Sequence, residues 1–371
     1  MTTISDHEYK IRLEKIQSLL KENDFDALFV TLGKNFQYIL KSSAHLSERL
    51  VCGVIPVNRD PLLLCPAFEK LNFSKTPIQK ENLLLWEEIE NPFERLMDLS
   101  TELGISDGNI ALSPDTPFDF YSKMAKKMPK ALFASGYKIF LTSRVTKTET
   151  EISLLRKANE ATSQGIEAAF SQAQEGMTEK DLAQIVIKEL SDRSKEPAQF
   201  AAVQFGENSA DPHAQPSSRK LHKEEVILID AGTSIEGYNG DITNTSFFGR
   251  PPKEFLNVYT IVEEAQERAV AGAKEGVSGE FVDSLARNFI TEKGYGKYFT
   301  HRTGHGIGLD VHEEPYIVNG NKKALLENQA HSIEPGIYLE GKFGVRIEDI
   351  VFVGKQSGIR SAKVARRLWE K

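Results

Sequence analysis

From Asp6 to Leu20 the apolar residues Ile11, Leu13, Ile16, Leu19 and Leu20 recur mostly at three- and four-residue steps, which predicts an amphipathic helix over 6–20. Short apolar runs bounded by turn formers follow at 26–30, 50–57 and 62–65 and read as strands. The polar turn Asn58-Arg59-Asp60-Pro61 joins the last two. Helix and strand candidates alternate up to about Leu141, as a mixed α/β layer packing requires. A new helical period opens after Thr148-Glu149-Thr150-Glu151. There acidic residues precede Ile152, Leu154, Leu155, Ala158 and Ala161, as the helix dipole favours. Gly176-Met177-Thr178-Glu179-Lys180-Asp181 caps another helix reaching about Asp192. Strand-like patterns dominate 198–250, two helices fill about 253–293, and strands return over 298–354. The expectation is two domains, 1–143 and 144–371, the first mixed α/β and the whole chain α+β.

Composition narrows the function classes. In 371 residues, 40% hydrophobic and 27% charged, there is enough apolar material for a sizeable core, which excludes wholesale disorder. Acidic residues exceed basic ones by seven, so the basic footprint of a nucleic-acid partner is missing. No run approaches the ~18 apolar residues of a membrane span, and the polar start from Met1 to Glu8 has no apolar core behind it, so neither a membrane nor a secretory leader is expected. The two cysteines, Cys52 and Cys65, lie in apolar runs and cannot build a disulfide framework. They read as buried thiols of a cytoplasmic protein. Of eight histidines, six fall between His213 and His331, which directs the search for chemistry to the second half.

The informative stretch is Val226-Ile227-Leu228-Ile229-Asp230-Ala231-Gly232 followed by Glu236-Gly237-Tyr238-Asn239-Gly240-Asp241-Ile242-Thr243-Asn244-Thr245, which reads as a β-hairpin. Asp230 ends a buried run, where a lone carboxylate is costly unless paired or metal-bound. About a hundred residues later the construction recurs. His331-Ser332-Ile333-Glu334-Pro335-Gly336-Ile337-Tyr338, a turn at 341–344 and Val345-Arg346-Ile347-Glu348-Asp349-Ile350-Val351 again place two acids on two strands. Four clustered carboxylates repel one another unless cations compensate, and two divalent ions are the simplest solution. Between the hairpins, His301-Arg302-Thr303-Gly304-His305-Gly306-Ile307-Gly308-Leu309-Asp310-Val311-His312-Glu313 supplies imidazoles among glycines that permit close backbone approach.

Asp230 and Asp241 eleven apart, Gly-His305-Gly-Ile-Gly with His312 seven later, Glu334-Pro-Gly-Ile-Tyr and Val-Arg-Ile-Glu348-Asp resemble the pita-bread-fold metallopeptidases: methionine aminopeptidases, aminopeptidase P and prolidases. The first ~140 residues resemble the N-terminal domain that aminopeptidase P, prolidase and creatinase share. The resemblance implies a C-terminal pita-bread catalytic domain behind a creatinase-type α/β domain. It implies Asp230, Asp241, His305, Glu334 and Glu348 as metal ligands, with Asp241 and Glu348 bridging two ions, Asp230 completing one, and His305 with Glu334 the other. Glu334 would also shuttle a proton, while His213 and His312 would hold the peptide carbonyl. Oxygen and imidazole donors suit manganese, cobalt, iron or zinc, with manganese the family-level choice. The implied activity is cleavage between an N-terminal residue and proline in short proline-containing peptides. A Xaa-Pro dipeptidase is favoured and aminopeptidase P is the alternative. A metal-free creatinase-like hydrolase and a non-catalytic binding protein of the same fold rank lower, because all five ligands are present. A homodimer is expected. Gly240, where the family often has serine, and Thr243-Asn244-Thr245, where Thr-Arg-Thr is common, depart from the pattern.

Other features read as structure. His301 lies four residues from His305, but Gly304 between them argues against a helical zinc pair. His222 and His331 are assigned structural places, and Arg346 an anchoring one beside the acids. Gly336 to Lys342 fits the start of a phosphate-binding loop yet is followed by Phe343, and Gly304 to Gly308 fails the dinucleotide pattern. The basic tail, Arg360 to Lys371, is read as a solvated segment or a subunit contact.

Overall fold

The computed structural model describes residues 3–367. Two compact units divide at Arg144 and Val145. The first runs α1 (Asp6–Glu22), β1 (Ala27–Thr31), α2 (Lys34–Leu40), β2 (Cys52–Pro56), β3 (Leu62–Pro66), β4 (Leu83–Trp86), α3 (Pro92–Glu102), β5 (Asn109–Leu112), α4 (Phe118–Lys127), β6 (Leu132–Ser135) and α5 (Tyr137–Arg144). Its six-stranded mixed sheet has the order β4-β3-β2-β1-β5-β6, with β1 parallel to β5 and antiparallel to β2. Every residue of β1 is buried, as a central strand covered on both faces must be. Phe29, Leu64, Trp86, Leu96, Ile110, Phe120 and Met124 form one core of this unit. Cys52 and Cys65 are buried and free, and burial pushes both thiols up to about 12, which keeps them unreactive.

The second unit comprises α6 (Glu149–Gln172), α7 (Glu179–Ser194), β7 (Phe200–Phe205), β8 (Glu225–Gly232), β9 (Ser234–Ile235), β10 (Tyr238–Asn239), β11 (Ile242–Phe248), α8 (Lys253–Gly272), α9 (Gly279–Glu292), β12 (Gly304–Gly306), β13 (Glu313–Ile317), β14 (Ala330–Ile333), β15 (Gly336–Leu339), β16 (Phe343–Arg346), β17 (Asp349–Phe352) and β18 (Ile359–Arg360). Capping boxes start both long helices: Thr148 with Glu151 for α6, Thr178 with Asp181 for α7. One core packs α6 and α7 on the sheet β11-β8-β7 through Ile166, Leu182, Val186, Val203 and Ile229. Another packs α8 and α9 near the sheet β13-β12-β14-β17-β18 through Phe255, Val258, Val262, Ala286 and Val351. No described helix is long and apolar enough to cross a membrane.

The second carboxylate hairpin is not one continuous ladder. β14 pairs with β17, Ala330 opposite Phe352, whereas β15 pairs with β16 in a separate two-stranded sheet, Gly336 opposite Arg346. Pro335 has no N–H to continue the ladder, so the chain breaks there. Glu334 and Glu348 sit in that break. The Glu348 amide donates instead to the Thr243 carbonyl of β11 at 3.0 Å, tying the two acid-bearing segments together. Asp241 likewise falls in a gap, between β10 and β11, and its amide donates to Asn159 Oδ1 of α6 at 3.1 Å. A Cβ at Gly240 would stand 2.7 Å from the Ala158 backbone, so this chain's α6 passes close enough to require glycine there.

Two basic residues of the tail turn inward rather than into solvent, while Lys363 and Arg367 stay exposed. Arg360 and Arg366 both bond the buried Asp349 carboxylate, at 2.8 and 2.9 Å, and Arg367 bonds Glu263 at 2.7 Å. A buried acid beside Glu348 demands such partners. Lys371 lies outside the described residues.

Candidate metal centre

Five segments of the second unit converge. β8 contributes Asp230, the entry to β11 contributes Asp241, and β12 contributes His305. The β14–β15 and β16–β17 breaks contribute Glu334 and Glu348. One ligand atom each from Asp241, His305 and Glu348 lie within 4.8 Å of one another, all three residues buried. Glu334 Oε1 is 3.3 Å and Asp241 Oδ2 3.7 Å from His305 Nε2. His305 can occupy this spot because its neighbours are glycines: a Cβ at Gly304 would meet the Ser332 carbonyl at 1.9 Å, and one at Gly306 the Glu314 carbonyl at 2.2 Å.

Electrostatics mark the cluster as incomplete without a cation. Burial, then Asp230 and Glu334, raise the Asp241 carboxyl well above its ordinary value. Burial, then Asp241, Glu334 and Asp230, do the same to Glu348. Glu334 is pushed up to about 7, chiefly by burial and partly by Asp230, against the opposing charge of Arg346. Burial and the nearby His312 lower His305 to about 3, so it is neutral. Its Nδ1 lies 3.1 Å from the Gly306 carbonyl, which only an Nδ1–H can satisfy. Nε2 therefore turns a lone pair toward two carboxylates, acceptor facing acceptors. Asp230 Oδ1 is also buried without a hydrogen-bond partner. Buried oxygen and imidazole donors whose carboxyls are driven toward the protonated form for want of positive charge fit divalent cations, which displace those protons on binding.

Polar residues around the acids hold their orientation. Arg346 donates from Nη2 to Asp230 Oδ2 at 2.7 Å, from Nε to Thr243 Oγ1 at 3.0 Å and from Nη1 to Tyr338 Oη at 3.0 Å. Thr243 passes its own proton to Glu348 Oε2 at 2.7 Å, and Ser332 Oγ donates to Glu334 Oε1 at 3.0 Å. Tyr338 Oη also lies 2.8 Å from His301 Nε2. Thr243, Ser332, Tyr338 and Arg302 carried no assigned role in the sequence. A signal existed for two of them: Thr243 and Ser332 stand two positions from an acid, the period that places side chains on one strand face.

A cavity of 370 Å³ opens over the cluster, and its lining includes all five of these residues together with His213, His301, Arg302 and His312. His213 is exposed on the loop after β7, and His312 stacks edge-on against His305 with ring centres 4.1 Å apart. Burial and Arg302 lower His312. Arg302 lies 4.6 Å over the Tyr316 ring and has no carboxylate within ion-pair distance among the described residues. His331 is buried away from the cavity with Nδ1 near the Ser332 carbonyl, and His222 is exposed.

The sequence model of metallopeptidase family M24 matches residues 153–355, and that of the creatinase/prolidase N-terminal domain matches residues 12–146. Over 345 residues the chain is 32% identical to a Xaa-Pro dipeptidase of Lactobacillus delbrueckii subsp. lactis, spanning 91% of this chain and 93% of that one. The crystal structure of a dipeptidase from Pyrococcus horikoshii matches with a TM-score of 0.89 at 35% identity, over 96% of this chain and 99% of that one. An X-Pro aminopeptidase from Thermotoga maritima matches with a TM-score of 0.85 at 31% identity, over 96% and 98%. With both halves matched along nearly their whole length, the chain belongs to metallopeptidase family M24 and carries the creatinase/prolidase N-terminal domain.

Proposed function

We propose that this protein is a Xaa-Pro dipeptidase whose site holds two divalent metal ions. The observation that carries the reading is the buried set of acids around the neutral His305, whose raised carboxyls are only partly offset by the single charge of Arg346. Asp230, Asp241, His305, Glu334 and Glu348 would hold the ions. Manganese is the proposed metal, and the same donors accept cobalt, iron or zinc. Bound there, divalent ions would lower the pKa of a water, polarise the scissile carbonyl and offset the charge that develops on it.

The protein's own groups do the rest. Glu334 takes the proton of the attacking water and returns it to the departing proline nitrogen. His213 and His312, on the cavity wall, hold the peptide carbonyl and its developing oxyanion. Arg302 supplies a guanidinium without an acidic partner among the described residues, suited to the free carboxylate of a dipeptide. That feature favours the dipeptidase reading. The likeness to an X-Pro aminopeptidase keeps action on longer peptides as the second reading.

We also propose a homodimer in the cytoplasm, where the buried free thiols of Cys52 and Cys65 remain reduced. Turnover of Ala-Pro, an Ala-Pro-Xaa tripeptide and a Met-Ala peptide by the manganese-loaded protein tests the reading. Preference for Ala-Pro supports it, preference for the tripeptide selects aminopeptidase P, and cleavage of none overturns it.

A further inference from the structure

His213 is borne by an exposed loop, 206–217, yet a residue that holds a reacting carbonyl must be kept in place. The fixing comes from below. Glu179, the first residue of α7, is fully buried, and its carboxylate accepts four hydrogen bonds from the two ends of that loop. Oε1 accepts from the Phe205 amide at 2.8 Å and from Asn208 Nδ2 at 2.9 Å. Oε2 accepts from the Ser217 amide at 2.8 Å and from Ser217 Oγ at 2.6 Å. One side chain thus closes the loop at its base, where the backbone leaves β7 and where it returns.

A second buried side chain pins the middle. Gln204, with no exposed surface, donates from Nε2 to the Asp211 carbonyl at 3.2 Å and to the Ala214 carbonyl at 2.9 Å, on either side of His213. A buried carboxylate is retained only where its acceptors are filled, and every donor to Glu179 comes from the loop or its base. None of the proposed metal ligands lies on this loop or contacts Glu179.

We propose that Glu179 is a positioning residue that sets the place of His213 over the metal centre, an inference that rests on the role given to His213 above. Glu179→Gln keeps the shape but replaces one oxygen with an amide that meets donors. At the Oε1 position the amide meets two N–H donors and both bonds are lost; at Oε2 it meets the Ser217 amide, whose bond is lost while the hydroxyl can turn to accept, and either way the loop loosens. The expected result is a drop in kcat/KM of about 10- to 100-fold with unchanged metal content, and amide hydrogen exchange at Phe205 and Ser217 at least roughly ten times faster in the metal-free protein.

The deciding experiment is a double-mutant cycle with His213→Ala, read by kcat/KM on Ala-Pro. If Glu179 acts through His213, adding Glu179→Gln to His213→Ala lowers activity by less than about threefold. Equal losses in both backgrounds, or loss of bound metal in Glu179→Gln, overturn the proposal. Full activity in His213→Ala alone instead refutes the role of His213, so the two failures are distinct. Should Glu179→Gln not fold, Ser217→Ala removes the hydroxyl donor and leaves the amide bond, and the same non-additivity with a smaller single effect is expected.

Discussion

The acid cluster makes a two-signed prediction for Glu334→Gln. In the metal-free protein the Glu334 carboxyl sits at about 7 rather than near 4.5, so its folded value is raised above its unfolded one. For an acid shifted upward, the fold favours the protonated form. The penalty is absent below pH 4.5, grows as pH rises toward 7, and is complete above it. At 1.36 kcal/mol per unit, the ionised group destabilises the chelated protein by about 3 kcal/mol at pH 8. Glutamine carries no charge, and its amide can donate to His305 Nε2, which the carboxylate cannot. Chelated Glu334→Gln is therefore expected to be more stable than the chelated parent at pH 8. The gain in Tm is roughly 6–12 °C for a unit of this size, and the gain disappears at pH 4.5. With manganese the order reverses: a ligand at a thousand times its Kd adds about 4 kcal/mol to the parent, and the variant, short of a ligand and of its proton shuttle, gains little and does not turn over. Thermal unfolding at pH 4.5 and pH 8, with chelator and with manganese, reads all four conditions. A chelated variant no more stable than the parent at pH 8, or one equally stabilised at both pH values, refutes the argument.

Other outcomes follow from single contacts. Arg302→Ala should raise KM for Ala-Pro about 10- to 100-fold, the scale of a lost charge-assisted pair, while a dipeptide amide is affected little; equal effects on both substrates would remove Arg302 from carboxylate recognition. Thr243→Val breaks the link from Arg346 to Glu348 and should weaken metal binding by roughly 10- to 100-fold in a calorimetric titration. Unchanged affinity would mean that Arg346 alone orients the acids. His312→Ala should keep its metal and lose kcat, because the ring lines the cavity without lying among the three closest ligand atoms. Metal loss there would reassign the histidines. Gly304→Ala drives a methyl into the Ser332 carbonyl and should destabilise by about 1–3 kcal/mol or more in urea unfolding; a neutral result would show that β12 and β14 can part.

The helices and most strands were legible because their signals are local. The capping boxes at Thr148 and Thr178, the apolar period of α6 and the β-branched run of β8 depend on neighbours in sequence. The split of the second hairpin was not read, although Pro335 pointed to it, because which strand replaces a lost ladder partner is a long-range matter. Glu348 finds Thr243 across 105 residues. The inward turn of Arg360 and Arg366 was not read because it depends on which strands pair, not on residue type. The tail's charges look solvated until the pairing of β17 with β18 brings Arg360 beside the buried Asp349, and the chain beyond β18 brings Arg366 to the same carboxylate.

The sequence by itself determined which residue types are present at which spacing, and hence the family and the inventory of acids and imidazoles. Tertiary structure alone decided which atoms face one another: that His305 turns a bare Nε2 toward Glu334 and Asp241, that Arg346 reaches both Asp230 and Thr243, and that Glu179 holds both ends of the His213 loop. Spacing specifies side-chain faces within an element, through periods of 3.6 and 2. Charge balance, tautomer and loop placement depend on distances between elements, and those are set only when the layers pack.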